Sequence, residues 1–248
     1  MFKRASGLQY HRFLRRLHGA HLFDWYLEIG CRTGDSLAPV RSKTIGVDPF
    51  FRAEVNIIGK KPALHILQQT SDEFFASGFL AKNRIKLSTS FLDGMHLFEF
   101  LLRDFINTEA LSDGNGVIML HDCVPFNYEM TTRDLANLPQ RAWTGDVWKL
   151  IPILQAYRPD LTLAVLDCRP TGLVCVTGLS PRNMVLADNY DNIIKQYQDV
   201  TLEAFGIERF FDSFEFASAL ECEQAGFPQW KAASIDPSLA IQPQLVST

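Results

Sequence analysis

Short β-rich runs alternate with apolar residues at helical spacing along most of the chain. Trp25 to Ile29, Thr44 to Val47, Leu64 to Leu67, Ile85 to Leu92 and Gly116 to Leu120 read as five strands, each followed by a polar or glycine-containing turn. Between the fourth and fifth, Leu97, Leu101 and Phe105, flanked by Phe98, Leu102 and Ile106, recur at a helical period and predict a crossover helix over Leu97 to Glu109. Asp113-Gly114-Asn115-Gly116 is a turn signal, because Asn and Gly tolerate positive φ where a chain reverses. Two later strands, Leu161 to Leu166 and Leu173 to Val176, flank Cys168-Arg169-Pro170-Thr171-Gly172, a connection short enough for a hairpin. Val185, Leu186, Ile193, Ile194 and Tyr197 predict one further long helix beyond Pro181. The expected fold class is α/β: seven mostly parallel strands covered by helices on both faces, with the last strand antiparallel in the C-terminal hairpin.

The ends read differently from the middle. Lys3, Arg4, His11, Arg12, Arg15 and Arg16 alternate with Phe2, Leu8, Phe13, Leu14 and Leu17, a pattern of a basic amphipathic helix without the continuous apolar stretch of a secretory signal. The expected organisation is an N-terminal helix over 1–22, one domain over 23–231, and a loosely ordered tail over 232–248 containing Pro237 and Pro243.

Composition narrows the partners. The chain has 248 residues, 47% of them hydrophobic, enough for one full core. Its 24 basic and 28 acidic residues nearly cancel, so no strong field exists to attract nucleic acid or anionic lipid. Apolar runs fall well short of the roughly 20 residues of a membrane span. Cys31, Cys123, Cys168, Cys175 and Cys222 are odd in number and lack any C-x-x-C pair, which predicts reduced thiols and a cytoplasmic location.

Candidate chemistry begins at Glu28-Ile29-Gly30-Cys31-Arg32-Thr33-Gly34, which puts two glycines just after a strand, where a backbone can bend sharply beside a ligand. Thr44-Ile45-Gly46-Val47-Asp48 ends the next strand in a carboxylate suited to the two hydroxyls of a ribose. A G-x-G-x-x-G dinucleotide turn would need glycine where Arg32 and Asp35 stand, which disfavours a nicotinamide cofactor. These two segments resemble the first two motifs of the class I S-adenosylmethionine-dependent methyltransferases. The resemblance implies a Rossmann-like sheet, S-adenosylmethionine as cofactor, and a cofactor side made of Glu28, Gly30, Gly34 and Asp48, with Arg32 in the same turn. Thr70-Ser71-Asp72 matches the region that meets adenine in that family, so Ser71 and Asp72 are expected there, although helix capping explains the same residues.

Asp93-Gly94-Met95-His96 and His121-Asp122 end the fourth and fifth strands, which would be neighbours about 4.8 Å apart. Two carboxylates at one edge repel unless a cation or proton joins them. A metal there would let a substrate hydroxyl lose its proton, with His96 as the base. D-G-M-H followed by a helix and H-D resembles the branch that includes macrocin-type, metal-dependent sugar O-methyltransferases. The resemblance implies Asp93 and His96 as catalytic residues, Asp93 also beside the cofactor, and Asp93, Asp122 and His121 around Mg²⁺. Those relatives carry an acid where His121 stands, and imidazole suits softer metals. The expected substrate is a small hydroxylated acceptor; self-association into a homo-oligomer is left open. Trp143 and Asp146 are expected on a lid or acceptor wall. Two other readings stand beside this one: an S-adenosylmethionine-binding module without transfer activity, and an NAD-dependent oxidoreductase.

Overall fold

A computed structural model describes residues 1–235. Helix α1 (Tyr10–Ala20) leads into β1 (Leu22–Phe23) and β2 (Trp25–Ile29), then β3 (Lys43–Val47), β4 (Leu64–Leu67), α2 (Ser71–Ala76), α3 (Phe79–Lys82) and β5 (Leu87–Leu92). The second half runs α4 (Phe98–Ala110), β6 (Ser112–His121), α5 (Leu150–Tyr157), β7 (Thr162–Leu166), β8 (Leu173–Thr177), α6 (Val185–Asp188) and α7 (Tyr190–Tyr197). It finishes with α8 (Leu202–Phe205), α9 (Ile207–Asp212), β9 (Phe216–Ala217), α10 (Ala219–Gln224) and β10 (Ser234–Ile235).

The main sheet has the order β4-β3-β2-β5-β6-β8-β7-β9. Strands β4 to β6 in that order are parallel, and β8 lies antiparallel between β6 and β7. This is the expected Rossmann-like arrangement with its antiparallel hairpin, enlarged by an eighth strand. That strand, β9, is only two residues long and joins β7 in parallel, too short for any alternation to betray it. From β2 the chain steps outward to β3 and β4, then returns to β5 on the other side. Such a reversal opens a crevice at the carboxyl ends of β2 and β5, the usual ligand position in open α/β sheets.

Alternation along the strands sorts the core into two layers. Leu27, Ile29, Ile118 and Leu120 face Phe98, Leu101, Leu102 and Phe105 of α4 and Ile151 and Leu154 of α5. Tyr26, Phe91, Val117 and Met119 face the opposite layer, which holds Phe13, Leu14 and Leu17 of α1 and Cys222 of α10. Helix α1 is therefore amphipathic for a plain reason: its apolar stripe covers the sheet while Arg12 and Arg15 stay in water.

Two local expectations are revised. The Asp113–Gly116 turn falls inside β6: Leu87 pairs with Ser112 and Thr89 with Val117, so the intervening residues bulge out of a ladder that had already begun. The long helix beyond Pro181 breaks at Asn189, which ends α6 and starts α7. The connection from β2 to β3 is built of turns, and buried Leu37 and Val40 cover the sheet there. At the far end, β10 pairs with β1, so Ser234 and Ile235 are tied to the domain; Pro237, Pro243 and the rest of the expected tail lie outside the described residues. No helix among the described residues is long and apolar enough to cross a membrane.

Helix α4 carries a buried acid whose effect on stability can be measured. Asp104 is 1% exposed, and its Oδ1 has no hydrogen-bond partner among the described residues. Burial pushes its carboxyl up to about 7, against the pull of Ser71. A carboxyl raised in the folded state destabilises that state as it ionises, so stability falls as pH rises from about 4 through 7. Asp104→Asn is expected to raise the melting temperature at pH 8 but not at pH 4, by an amount corresponding to at most about 4 kcal/mol. Parallel pH profiles for the two proteins would show that the group stays ionised without cost.

Candidate active site

The glycine turn is built against the end of β5. Gly30 and Gly34 both have φ of 88°, a conformation natural to glycine, and Arg32 between them also has positive φ. Gly30 N donates to the Val47 carbonyl at 2.9 Å, and Asp93 N donates to the Ile29 carbonyl at 2.9 Å, which stitches the ends of β2, β3 and β5 together. A Cβ on Gly30 would lie 1.9 Å from the Asp93 carbonyl oxygen. Gly30→Ala is thus expected to cost about 2–4 kcal/mol, from strained φ and overlap with fixed backbone, and to displace Asp93. Urea denaturation checks the first effect; an unchanged midpoint would mean that the contact relaxes freely.

Asp48 ties the turn to the loop after β3. Its Oδ2 accepts from Arg32 N at 2.8 Å and its Oδ1 from Phe50 N at 2.7 Å. Each carboxylate oxygen keeps a second lone pair for another donor. Glu28 lies fully buried beneath the turn, where it accepts from Ser36 Oγ at 2.6 Å and from the Tyr26 hydroxyl at 2.7 Å. Burial raises its carboxyl to about 7, while these two bonds pull the other way. Glu28 accordingly braces the turn from within.

The tips of β5 and β6 converge. Leu92 pairs with Leu120, so the residues that follow leave the sheet side by side. Asp93, His96 and Asp122 each offer one ligating atom within 4.8 Å of the others. His96 Nδ1 lies 2.8 Å from the Trp143 carbonyl, to which only an N–H can donate, so the neutral ring carries its lone pair on Nε2. That Nε2 stands 3.4 Å from Asp93 Oδ1 and 3.5 Å from Asp122 Oδ2. Burial works against a charge on His96, but the bond to Asp93 and the Asp122 carboxylate outweigh it and raise its pKa. Asp122 has φ of 58°, in the left-handed region that aspartate enters more readily than most side chains, and Thr171 Oγ donates to its Oδ1 at 2.6 Å.

His121 lies behind these ligating atoms. Its Nδ1 approaches Asp93 Oδ1 at 3.1 Å and Asp122 Oδ1 at 3.4 Å, while its Nε2 has no partner among the described residues. Burial pushes this imidazole down, yet Asp122 and Asp93 more than compensate and lift it to about 9. The same pairing keeps the Asp93 carboxyl well below the ordinary carboxylate range in spite of its burial. The resulting stabilisation is complete below the unfolded histidine value of 6.5 and is lost as pH rises through about 9.

Tyr10 closes this side. Its ring centroid lies 4.1 Å from that of His121, and the backbone around it is held by Gly7 N to the Asp167 carbonyl and Tyr10 N to the Arg169 carbonyl. Burial and the carboxylates of Asp93, Asp122, Glu28 and Asp35 push its phenol far above the usual range, so it is a neutral hydroxyl.

Other expected residues make contacts of their own within the protein. Ser71 begins α2, whose start is secured by reciprocal bonds between Thr70 and Glu73. Both oxygens of Asp72 are taken by the Arg103 guanidinium, at 2.9 and 2.7 Å. Asp146 caps α4 through Phe98 N and pairs with Arg133 and Lys149. Trp143 does adjoin the cluster, its ring 5.1 Å from His96. Sequence reasoning missed Tyr10 and Thr171. Neither belongs to a motif; only the crossing of residues 7–10 with 167–169 and the hairpin turn bring them in.

No protein-family model matches this sequence, and no curated protein matches it. Solved structures with similar coordinates include the MycE methyltransferase of the mycinamycin biosynthetic pathway in complex with Mg, S-adenosylhomocysteine (SAH) and mycinamycin VI, at 15% identity and a TM-score of 0.44, covering 68% of this chain and 48% of that one. The O-methyltransferase from Bacillus cereus in complex with SAH is similar at 12% identity and a TM-score of 0.48, over 67% of this chain and 79% of that one. TomG from Streptomyces achromogenes, an O-methyltransferase of tomaymycin synthesis in complex with S-adenosylmethionine, matches at 14% identity and a TM-score of 0.44, over 67% and 76%. The chain spans about half the length of MycE.

Proposed function

We propose that this protein is an S-adenosylmethionine-dependent methyltransferase that acts on a hydroxyl group of a small molecule, with His96 as general base. The observation that carries this reading is the meeting of Asp93, His96 and Asp122 at the sheet edge where the Gly30 turn rests on the Asp93 carbonyl. Structural roles alone would not require three such groups beside a ligand crevice.

The residues present fit the cofactor. Asp48 is a nearly buried carboxylate with lone pairs left for the two ribose hydroxyls, and the carboxylates around Gly30 favour a positively charged ligand. When bound, S-adenosylmethionine supplies an electrophilic methyl group on a sulfonium. The protein's part is to orient the acceptor and to take its proton at His96 Nε2, the nitrogen left free by the bond to Trp143. Asp93 and Asp122 would then stabilise the imidazolium that forms.

A divalent cation such as Mg²⁺ also fits here, held by the carboxylates of Asp93 and Asp122 with His96 Nε2 kept for the proton, and would lower the pKa of a hydroxyl in contact with it. His121 orients Asp93 from behind, as outer partners of metal ligands do. The five cysteines are all unpaired and buried, which supports a role in the reducing cytoplasm.

Calorimetric titration with SAH and with NAD tests the cofactor, followed by transfer of labelled methyl from S-adenosylmethionine to a panel of hydroxylated acceptors. Saturable SAH binding with label in an ether product is the expected result. Binding of NAD without SAH would overturn the proposal in favour of an oxidoreductase, and SAH binding without transfer to any acceptor would favour a binding module.

A further inference from the structure

We propose that Arg4 and Arg141 form a binding site for a small molecule that carries an oxyanion, a phosphate ester or a carboxylate, in a pocket one chain segment away from His96. The inference does not depend on the methyltransferase reading.

A cavity of about 460 Å³ lies among Arg4, Phe126, Asn127, Glu129, Gln140 and Arg141. Its size suits a small metabolite. It also borders the reactive cluster. Ala142 lines it next to Trp143, whose carbonyl holds His96, and Met130 lines it while its own carbonyl accepts from Thr144 N and Gly145 N. Gly145 in turn packs directly on His96, since a Cβ there would lie 1.6 Å from the His96 carbonyl oxygen. A molecule in this cavity is therefore separated from the base by one segment of chain.

The charges in the pocket are uncommitted. Among the described residues neither Arg4 nor Arg141 forms an ion pair or a hydrogen bond, and two guanidiniums face one carboxylate, that of Glu129. Arg4 is held in place by other means: its guanidinium lies 5.1 Å from the centre of the Phe126 ring, and the chain on either side is anchored. Phe2 packs edge-on to Tyr128 with centroids 4.7 Å apart, and Gly7 N bonds to the Asp167 carbonyl at 2.8 Å. Stacking on one face leaves the N–H edge of the guanidinium free, and that edge matches the spacing of phosphate or carboxylate oxygens. The amides of Asn127 and Gln140 add neutral donors.

The larger neighbouring cleft, about 980 Å³, lacks this property although Arg133 and Lys149 line it. Arg133 is bonded to Glu99 and Asp146, and Lys149 to Asp146, so these cations are already neutralised. Among these two clefts, free positive charge is found in the smaller one.

Calorimetry with glucose 6-phosphate, glucuronate and glucose as probes, on the intact chain, tests the proposal without any need for turnover. The expected result is saturable binding of glucose 6-phosphate, glucuronate or both, at least tenfold tighter than glucose and weakening as salt is added. Which of the two binds better tells phosphate from carboxylate. Arg4→Gln and Arg141→Gln should each weaken that binding about tenfold, with melting temperature unchanged because both side chains are exposed. Equal binding of glucose, no binding of any probe, or full anion binding by the double variant would overturn it. An SAH titration of the same samples reports separately on the donor site, so failure here and failure of the methyltransferase reading are distinguishable.

Discussion

His96→Ala is expected to lower methyl transfer by about 10²–10⁴-fold, the usual contribution of a positioned general base, while SAH binding stays within a few-fold of the parent. The reasoning is geometric. The Trp143 carbonyl fixes the Nδ1 hydrogen, the lone pair on Nε2 faces Asp93 and Asp122, and no other neutral nitrogen base in the cluster is free to replace it. His121 is the alternative, but Asp122 and Asp93 keep it protonated up to about pH 9. His96→Gln retains a donor toward Trp143 and cannot accept the proton, so it should be as inactive as the alanine variant. Turnover at the parental rate in both variants would remove His96 from the chemistry.

Asp93→Asn should have the second largest effect, a loss of about 10²-fold or more in turnover, because one change strikes three contacts. Asp93 is the partner of both His96 and His121 and a member of the only ligating trio among the described residues. Without its charge, His121 loses one of the two carboxylates that hold its proton, so its pKa should fall from about 9. Histidine resonances followed by NMR across pH 5 to 10 would show the displacement. Any stimulation of turnover by Mg²⁺ should disappear with the same substitution. A variant that keeps the parental titration and rate would mean that Asp93 serves only to pack against Gly30.

Strand positions were legible because burial on both faces of a parallel sheet demands continuous or alternating apolar runs. Trp25–Ile29 and Leu64–Leu67 end where their patterns end. Boundaries were less legible where a turn signal sits inside a pairing strand, as at Asp113–Gly116. The two-residue β9 left no mark in the sequence at all. In the site, Asp93, His96 and Asp122 stood out because polar residues at strand ends are conspicuous after apolar runs. Ser71 and Asp72 stood out for the same reason; in the structure Ser71 opens α2 and Asp72 pairs with Arg103.

What the sequence determined by itself was local: periodicity for the sheet and its helices, glycines where φ must be positive, and acids at the carboxyl edge. These depend on near neighbours, which any chain carries in its order of residues. The tertiary structure decided what lies across from what. It set His121 within reach of both Asp93 and Asp122, brought Tyr10 and Thr171 from distant segments onto the cluster, and turned His96 by a carbonyl 47 residues away. Side-chain direction and electrostatic partnership arise only when remote backbones pack together, so no spacing along the chain could have stated them.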